Sequence, residues 1–308
     1  MAKKIIITGS YNASIFLKGE RIPQIGETCT GDTYFISAGG KGSNQAIAAK
    51  FQGADITYIG KLGKDTYGKD AIHMYEKLDL NKSIYYDSTR HTGVAVIFID
   101  RGGNNSIMVA PGANMQLTAD EIVNVIQEQE DVLMAGFQLE NDVGQICEAI
   151  ERLHAMGVQT LLDPAPAVPL PEEVYKSITI IKPNEHEAAL LSQIPIENSK
   201  DALKAGRWFI DKGVETALIT LGEMGCVLVS QKEELFIPAP AVKAVDTTGA
   251  GDIFSGSFLA ALSKGYTYSD AARYASCGAA LSVTKMGVLE AMPGEKETYD
   301  LLKKEYGI

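Results

Sequence analysis

Short apolar runs alternate with amphipathic stretches along nearly the whole chain, and that rhythm restricts the fold more than any single motif does. Residues Ile5 to Thr8, Ile56 to Leu62, Val132 to Leu139, Val158 to Asp163, Ile178 to Lys182 and Ala217 to Leu221 read as buried strands. Helical segments fall between them near Ser43 to Phe51, Gly68 to Lys77, Ala119 to Gln129, Val143 to Met156, Lys200 to Lys212 and Ser269 to Thr284. Buried strands separated by helices imply a mostly parallel sheet covered on both faces, with ligands gathering at the carboxyl ends of the strands.

Two regions break the rhythm. Ser14 to Ile36 and Gly93 to Ala110 look like hairpins, the second joined across Asp100-Arg101-Gly102-Gly103-Asn104. They either pair into a small sheet of their own, serving as a lid or a dimer contact, or extend the main sheet in antiparallel fashion. With 308 residues, no repeat and no long linker, the chain reads as one α/β domain over residues 1–308, with strands inserted at about 14–36 and 93–110.

The formal net charge of −11, with no basic stripe, argues against nucleic acid as a partner. Ile5-Ile6-Ile7 is too brief for the apolar core of a signal peptide, and no run is long enough for a membrane span. Cys29, Cys147, Cys226 and Cys277 form no Cys-x-x-Cys pair, as expected of reduced thiols in a cytoplasmic protein. His73, His91, His154 and His186 are equally scattered, so local spacing shows neither a zinc site nor a Ser-His-Asp arrangement.

The chemistry concentrates in Asp246-Thr247-Thr248-Gly249-Ala250-Gly251-Asp252, which runs straight into an apolar helix. Gly249, Ala250 and Gly251 bare backbone N–H groups where the helix begins, so an anion can approach the positive end of its dipole. Asp252 at the edge of that trap repels phosphate, which suits a group that takes a proton from an attacking hydroxyl better than one that only binds. The same stretch also reads as a Gly-rich turn with an Asp at the helix start.

Ala38-Gly39-Gly40-Lys41-Gly42-Ser43-Asn44-Gln45 is a second glycine-cleared loop before a helix, where Lys41 and Asn44 can donate to hydroxyls. Its glycine spacing is not that of a Walker loop, and alone it reads equally as a turn with a solvated lysine. In Pro183-Asn184-Glu185-His186-Glu187, Asn184 and Glu187 stand at capping-box spacing. The alternative is that Asn184 touches phosphate while Glu187 orders water around Mg2+. Thr220-Leu221-Gly222-Glu223-Met224-Gly225 is a strand-end glycine turn.

These four segments, in this order, resemble the ribokinase branch of the PfkB carbohydrate-kinase family over nearly the whole chain. The resemblance implies a three-layer α/β/α domain with a mostly parallel central sheet and a small β-sheet lid, the lids clasping in a homodimer. It implies an ATP-dependent kinase for the primary hydroxyl of a free sugar, D-ribose first, with Asp252 as base and Gly249, Ala250 and Gly251 as the anion hole. Asn12, Gly40, Lys41, Asn44 and Glu140 match sugar-side positions; Asn184, Thr220, Gly222, Gly225 and Gly251 match nucleotide-side positions, and Glu187 the Mg2+ side. Asp246, Thr248, Ser282, Lys285 and Gly287 match a monovalent-cation site, usually for K+, built largely of backbone carbonyls.

Two departures stand out. Met286-Gly287-Val288-Leu289-Glu290-Ala291 differs from the Gly-Ala-x-x-Ser ending usual in ribokinases, and Asn12-Ala13-Ser14 replaces their Asn-x-Asp. A serine offers one small hydroxyl where an aspartate accepts two hydrogen bonds, so the sugar is open: ribose, deoxyribose, fructose or another ketose, a sugar phosphate, or a nucleoside. A sugar sensor without catalysis is the reading from another class. Tyr11, Phe35 and Ile97 either line the pocket or pack the lid.

Overall fold

The computed structural model describes residues 3–308. Strands β1 (Lys4–Thr8), β2 (Asn12–Lys18) and β3 (Thr33–Gly39) precede helix α1 (Lys41–Phe51); β4 (Ile56–Gly63), α2 (Thr66–Lys77), β5 (Asn81–Asp87), β6 (Gly93–Ile99) and β7 (Asn105–Ala110) follow. Then come α3 (Ala119–Gln127), β8 (Val132–Phe137), α4 (Val143–Ala155), β9 (Gln159–Leu162), β10 (Ile180–Ile181), α5 (Glu185–Ser192), α6 (Ser199–Asp211) and β11 (Thr216–Thr220). The chain ends with β12 (Gly225–Ser230), β13 (Glu234–Pro238), α7 (Ala250–Ser263), α8 (Tyr268–Ser282) and α9 (Glu295–Tyr306).

Among the described residues the main sheet has nine strands in the order β13-β12-β11-β10-β9-β8-β1-β4-β5. Its pairings are parallel from β5 through β11, and β12 and β13 close one edge antiparallel. Burial on both faces explains the continuous apolar runs. Ile5 and Ile7 point into a core with α1, α2, α7, α8 and α9, while Ile6 between them points into a second core with α3, α4, α5 and α6. The strand order reverses between β1 and β8, the crevice where α/β sheets of this kind hold ligands.

The apolar runs overstate one strand. Of Ile178 to Lys182, only Ile180–Ile181 pairs on both sides as β10. At Thr179 the hydroxyl accepts the Thr160 amide at 3.1 Å and the Thr160 hydroxyl accepts the Thr179 amide at 3.4 Å, so side chains replace the ladder there. Strands β5, β12 and β13 and helix α9 carry weaker signals and are absent from the sequence reading.

The four strands drawn from the two irregular regions form a separate sheet in the order β3-β2-β6-β7. Both hairpins are antiparallel and their central pair, β2 with β6, is parallel, with Asn12 opposite Gly93. Pairing begins at Asn12 and reaches Gly39, beyond the expected span of 14–36, which roots this sheet directly at α1. Tyr34, Ile36 and Met108 stand exposed on one face of it. No helix among the described residues is long and apolar enough to cross a membrane.

Helices α1 and α7 pack closely because Gly256 has no side chain. A Cβ there would lie 2.5 Å from the Gln45 carbonyl oxygen and 2.6 Å from the Ala48 Cβ. Gly256→Ala gains about 1 kcal/mol of helix propensity, but overpacking costs typically 1–3 kcal/mol. Because the nearest contact is with backbone, the cost lies towards the upper end, and we expect a net loss of about 1–2 kcal/mol in urea unfolding; a variant as stable as the parent would show that the helices can part freely.

Candidate active site

Two helix N-termini converge at the carboxyl edge of the sheet. Helix α1 begins after Gly40, whose φ of 91° suits glycine and whose absent Cβ would sit 2.7 Å from the Ser10 carbonyl oxygen. Helix α7 begins after Gly249 at φ 76° with no side-chain cap. Its Ala250 amide donates to Thr247 O at 3.2 Å, and among the described residues no backbone or side-chain acceptor takes the amides of Gly251 and Asp252. Uncapped amides at the positive end of a 14-residue helix can hold an anion.

Asp252 belongs to the first turn of α7 yet is held by α1. Its Oδ2 accepts Asn44 Nδ2 at 2.9 Å and its Oδ1 accepts Gln45 Nε2 at 3.2 Å, with 6% of the residue exposed. One carboxylate therefore joins the two glycine loops. Lys41, Glu140 and Asp163 face it, Lys182 pairs with Asp163, and Glu187 faces Lys41. Burial pushes the Asp252 carboxyl up from the ordinary aspartate range; the Asp163 and Glu140 charges add to this, while Lys41 and the Asn44 amide oppose it. The dipole of α7 favours the charged carboxylate, and desolvation outweighs it. Burial works against the Lys41 ammonium, yet Asp252, Asp163, Glu140 and Glu187 outweigh it and raise its pKa. Glu187 is likewise raised, by burial first and by Asp163 second.

The sugar-side candidates cluster. Glu140, just past β8, accepts the Lys41 amide at 3.0 Å and the Ser10 hydroxyl, which ties the exits of β1 and β8 to the start of α1. Asn12 is 3% exposed and its Oδ1 accepts Asn114 Nδ2 at 3.0 Å; a Cβ on Gly39 would come within 2.4 Å of the Ser14 hydroxyl oxygen. Tyr11 is buried edge-on to Tyr75, Ile97 is buried, and Phe35 stacks on Phe16 in the small sheet, as packing residues do.

On the other side of α7, Asn184 and Glu187 form the full capping box, each side chain accepting the other's backbone amide at 2.8 Å. The Asn184 carboxamide N–H groups and Glu187 Oε1 stay outside that exchange. Thr220 bridges to Asn184, and Gly225, at φ 113°, lies against β13, bringing the turn that holds Gly222 beside them. Asp246 stitches the remaining loops: Oδ1 accepts the Thr248 amide and Oδ2 the Gly287 amide, both at 3.0 Å. The Val245 amide donates to Val283 O at 2.7 Å and Lys285 N–H to Ser282 O at 3.1 Å, so the segments carrying all five cation-side candidates meet. Burial works against the Asp246 charge, but the Thr248 hydroxyl and amide, the Gly287 amide and the Lys18 ammonium outweigh it and lower its pKa.

Sequence reading missed Gln45, Asp163 and Lys182 as site residues. Asp163 and Lys182 face one another at 3.0 Å with side chains 4% and 3% exposed. The available signal was a charged residue ending an otherwise apolar strand, which a buried parallel sheet places at its ligand-binding edge.

The family model for the pfkB family carbohydrate kinases matches residues 2–294. A ribokinase of Haemophilus influenzae is 36% identical over 307 residues, covering 98% of this chain and 99% of that one. The crystal structure of a Thermotoga maritima ribokinase superposes with a TM-score of 0.89 at 32% identity, covering 98% of this chain and 99% of that one. The structure of Arabidopsis thaliana ribokinase complexed with ribose and ATP gives 0.88 at 31% identity, again with 98% and 99% covered.

A base works only when ionised, so a reaction that uses Asp252 slows as pH falls through its pKa. Because that pKa is raised, the acid limb of kcat/KM should lie above the ordinary aspartate value of about 3.9. Asp252→Asn should lower turnover by roughly 10²-fold or more with nucleotide binding retained, whereas near-normal turnover would require another base.

Proposed function

The chain belongs to the pfkB family of carbohydrate kinases, and on that premise we propose that it transfers the γ-phosphoryl group of ATP to the primary hydroxyl of free D-ribose. The observation that carries this reading is Asp252: it stands in the first turn of the phosphate-side helix and is hydrogen-bonded by Asn44 and Gln45 of the sugar-side helix. A hydroxyl held there lies between a proton acceptor and the amides of Gly251 and Asp252. Those amides stabilise charge gathering on the transferring phosphoryl oxygens, and Asp252 receives the hydroxyl proton late in the transfer. Gly249, Ala250 and Gly251 shape the anion hole, and Asn12, Gly40, Lys41, Asn44 and Glu140 orient the sugar. Asn184, Thr220, Gly222 and Gly225 flank the nucleotide.

The cleft suits magnesium carried in with ATP. Asp163, Asp252, Glu140 and Glu187 set four carboxylates against the two ammonium groups of Lys41 and Lys182, an excess of negative charge that a polyphosphate meets only with a cation between. Among the described residues no group of three His, Cys, Asp or Glu side chains could cage a metal. Glu187 would hold water of the ion's shell, the rest coming from phosphate oxygens and solvent. When bound, the ion draws charge off the γ-phosphoryl group. In the same reading potassium would sit at the loops joined through Asp246, with Thr248, Ser282, Lys285 and Gly287 supplying backbone carbonyls.

The small sheet serves as the lid in this reading. Tyr34, Ile36 and Met108 leave one face apolar and exposed, which supports a homodimer clasped lid to lid. Sedimentation that finds only single chains at working concentration would remove the dimer. The free cysteines agree with a cytoplasmic setting.

A second reading keeps the chemistry and changes the sugar. Ser14 presents one hydroxyl beside Gly39 where two neighbouring sugar hydroxyls would want a carboxylate, which favours a 2-deoxy sugar as a competing substrate. A panel of ribose, 2-deoxyribose, fructose, ribose 5-phosphate and a nucleoside, assayed for ADP release with magnesium and ATP, decides between them. We expect ribose first, and Ser14→Asp to raise the ribose-to-deoxyribose preference by roughly tenfold or more. No turnover on any member would sink the kinase reading for free sugars, and equal rates with and without potassium would remove that ion.

A further inference from the structure

The site holds a second buried carboxylate, and its surroundings are as constrained as those of Asp252. Parallel pairing of β9 with β10 sets Leu162 opposite Ile181, so Asp163 and Lys182 leave neighbouring strands side by side at the ligand edge. Asp163 Oδ2 accepts Lys182 Nζ at 3.0 Å, Gln45 Nε2 at 2.9 Å and faces the Ser255 hydroxyl at 3.0 Å. Ser255, one turn along α7 from Asp252, also lies 3.0 Å from Gly251 O, and Lys182 Nζ lies 3.5 Å from that same carbonyl.

Gln45 is the joint. Its Oε1 accepts Gln138 Nε2 at 2.7 Å, which fixes the carboxamide so that its Nε2 faces two carboxylates, Asp163 at 2.9 Å and Asp252 at 3.2 Å. Two anions sharing one amide repel each other, and the arrangement needs a nearby cation. A buried ion pair contributes little net stability, since desolvation consumes most of the Coulomb gain, so a role in placing other groups accounts better for its position.

We propose that Asp163 and Lys182 are positioning residues for the base: Asp163 anchors the Gln45 carboxamide that fixes Asp252 Oδ1, and Lys182 supplies the countercharge that lets both carboxylates share it. The proposal deepens the kinase reading and rests on Asp252 as the proton acceptor. The charged and polar groups facing Asp252 are Lys41, Asn44 and Gln45 from α1, Glu140 after β8 and Asp163 after β9; behind them Lys182 after β10 pairs with Asp163, and Glu187 from α5 acts on Lys41. All except the pair are untouched in the variants below, so their influence is common to every profile.

The test is the acid limb of kcat/KM in the full chain, measured for Lys182→Met, Asp163→Asn and the double variant. Lys182→Met leaves Asp163 as an uncompensated anion beside the base and should move the limb up by about one pH unit or more. Asp163→Asn keeps an acceptor for Gln45 but leaves Lys182 unpaired, and should move the limb down by a similar amount. The double variant, with neither charge, should return towards the parent. Opposite shifts that cancel are not produced by loss of scaffold. Limbs that coincide in all four proteins, or that shift the same way in both single variants, would overturn the proposal. If Lys182→Met fails to fold, the comparison of parent, Asp163→Asn and double variant still decides: Asp163→Asn should stand alone at lower pH, and coincidence of the three overturns the pair. A parent with no acid limb, or an active Asp252→Asn, would overturn base and pair together, whereas an intact base with coincident limbs would overturn the pair alone.

Discussion

The close approach of α1 and α7 is the contact on which the site depends. With no side chain at Gly256, the Gln45 backbone and Ala48 come within van der Waals reach of the later helix. With none at Gly42, the start of α1 presses on Gly9, where the first strand ends. Both helices then deliver their first turns to one point, and two residues of one hold a carboxylate of the other. A helix displaced by the width of a methyl group would leave Asn44 and Gln45 out of hydrogen-bond range of Asp252. Packing precision on the far side of the helices is thus converted into geometry at their mouths.

The electrostatics of the cleft follow from that burial. Desolvation disfavours the charged form of Asp252, and the protein counters with Lys41 and Asn44 rather than with a direct ion pair. Lys182 is spent on Asp163 instead. Asp252 keeps hydrogen bonds that orient it and keeps its affinity for a proton, the two properties that its proposed role as proton acceptor needs. The excess of carboxylates is what the proposed magnesium would balance.

Strongly periodic elements were legible in the sequence. Runs such as Ile5 to Thr8 and Ile56 to Leu62 announce buried parallel strands because both faces are apolar, and the alternation with helices fixes the sheet type. The β5 strand, Asn81-Lys82-Ser83-Ile84-Tyr85-Tyr86-Asp87, did not announce itself, because an edge strand half exposed to water needs no continuous apolar pattern. The glycine loops were legible as helix starts without side-chain caps, since small residues before an apolar helix have a direct physical consequence. Gln45, Asp163 and Lys182 were not, because their roles arise only when three distant segments meet. The shift of the Asp252 carboxyl was not legible for the same reason: burial is a property of the assembled fold, and the helix dipole alone points the other way.

The parallel pairing of β2 with β6 has a consequence for how the molecule is made. Asn12 meets Gly93 across that pair, so most of the first third of the polypeptide must be synthesised before the centre of the small sheet can close. Until then the first hairpin stands as an isolated two-stranded ribbon, with Ile15 and Leu17 and an unpaired strand edge open to other nascent chains. The small sheet is therefore the part of the fold that most needs protection while the protein is leaving the ribosome.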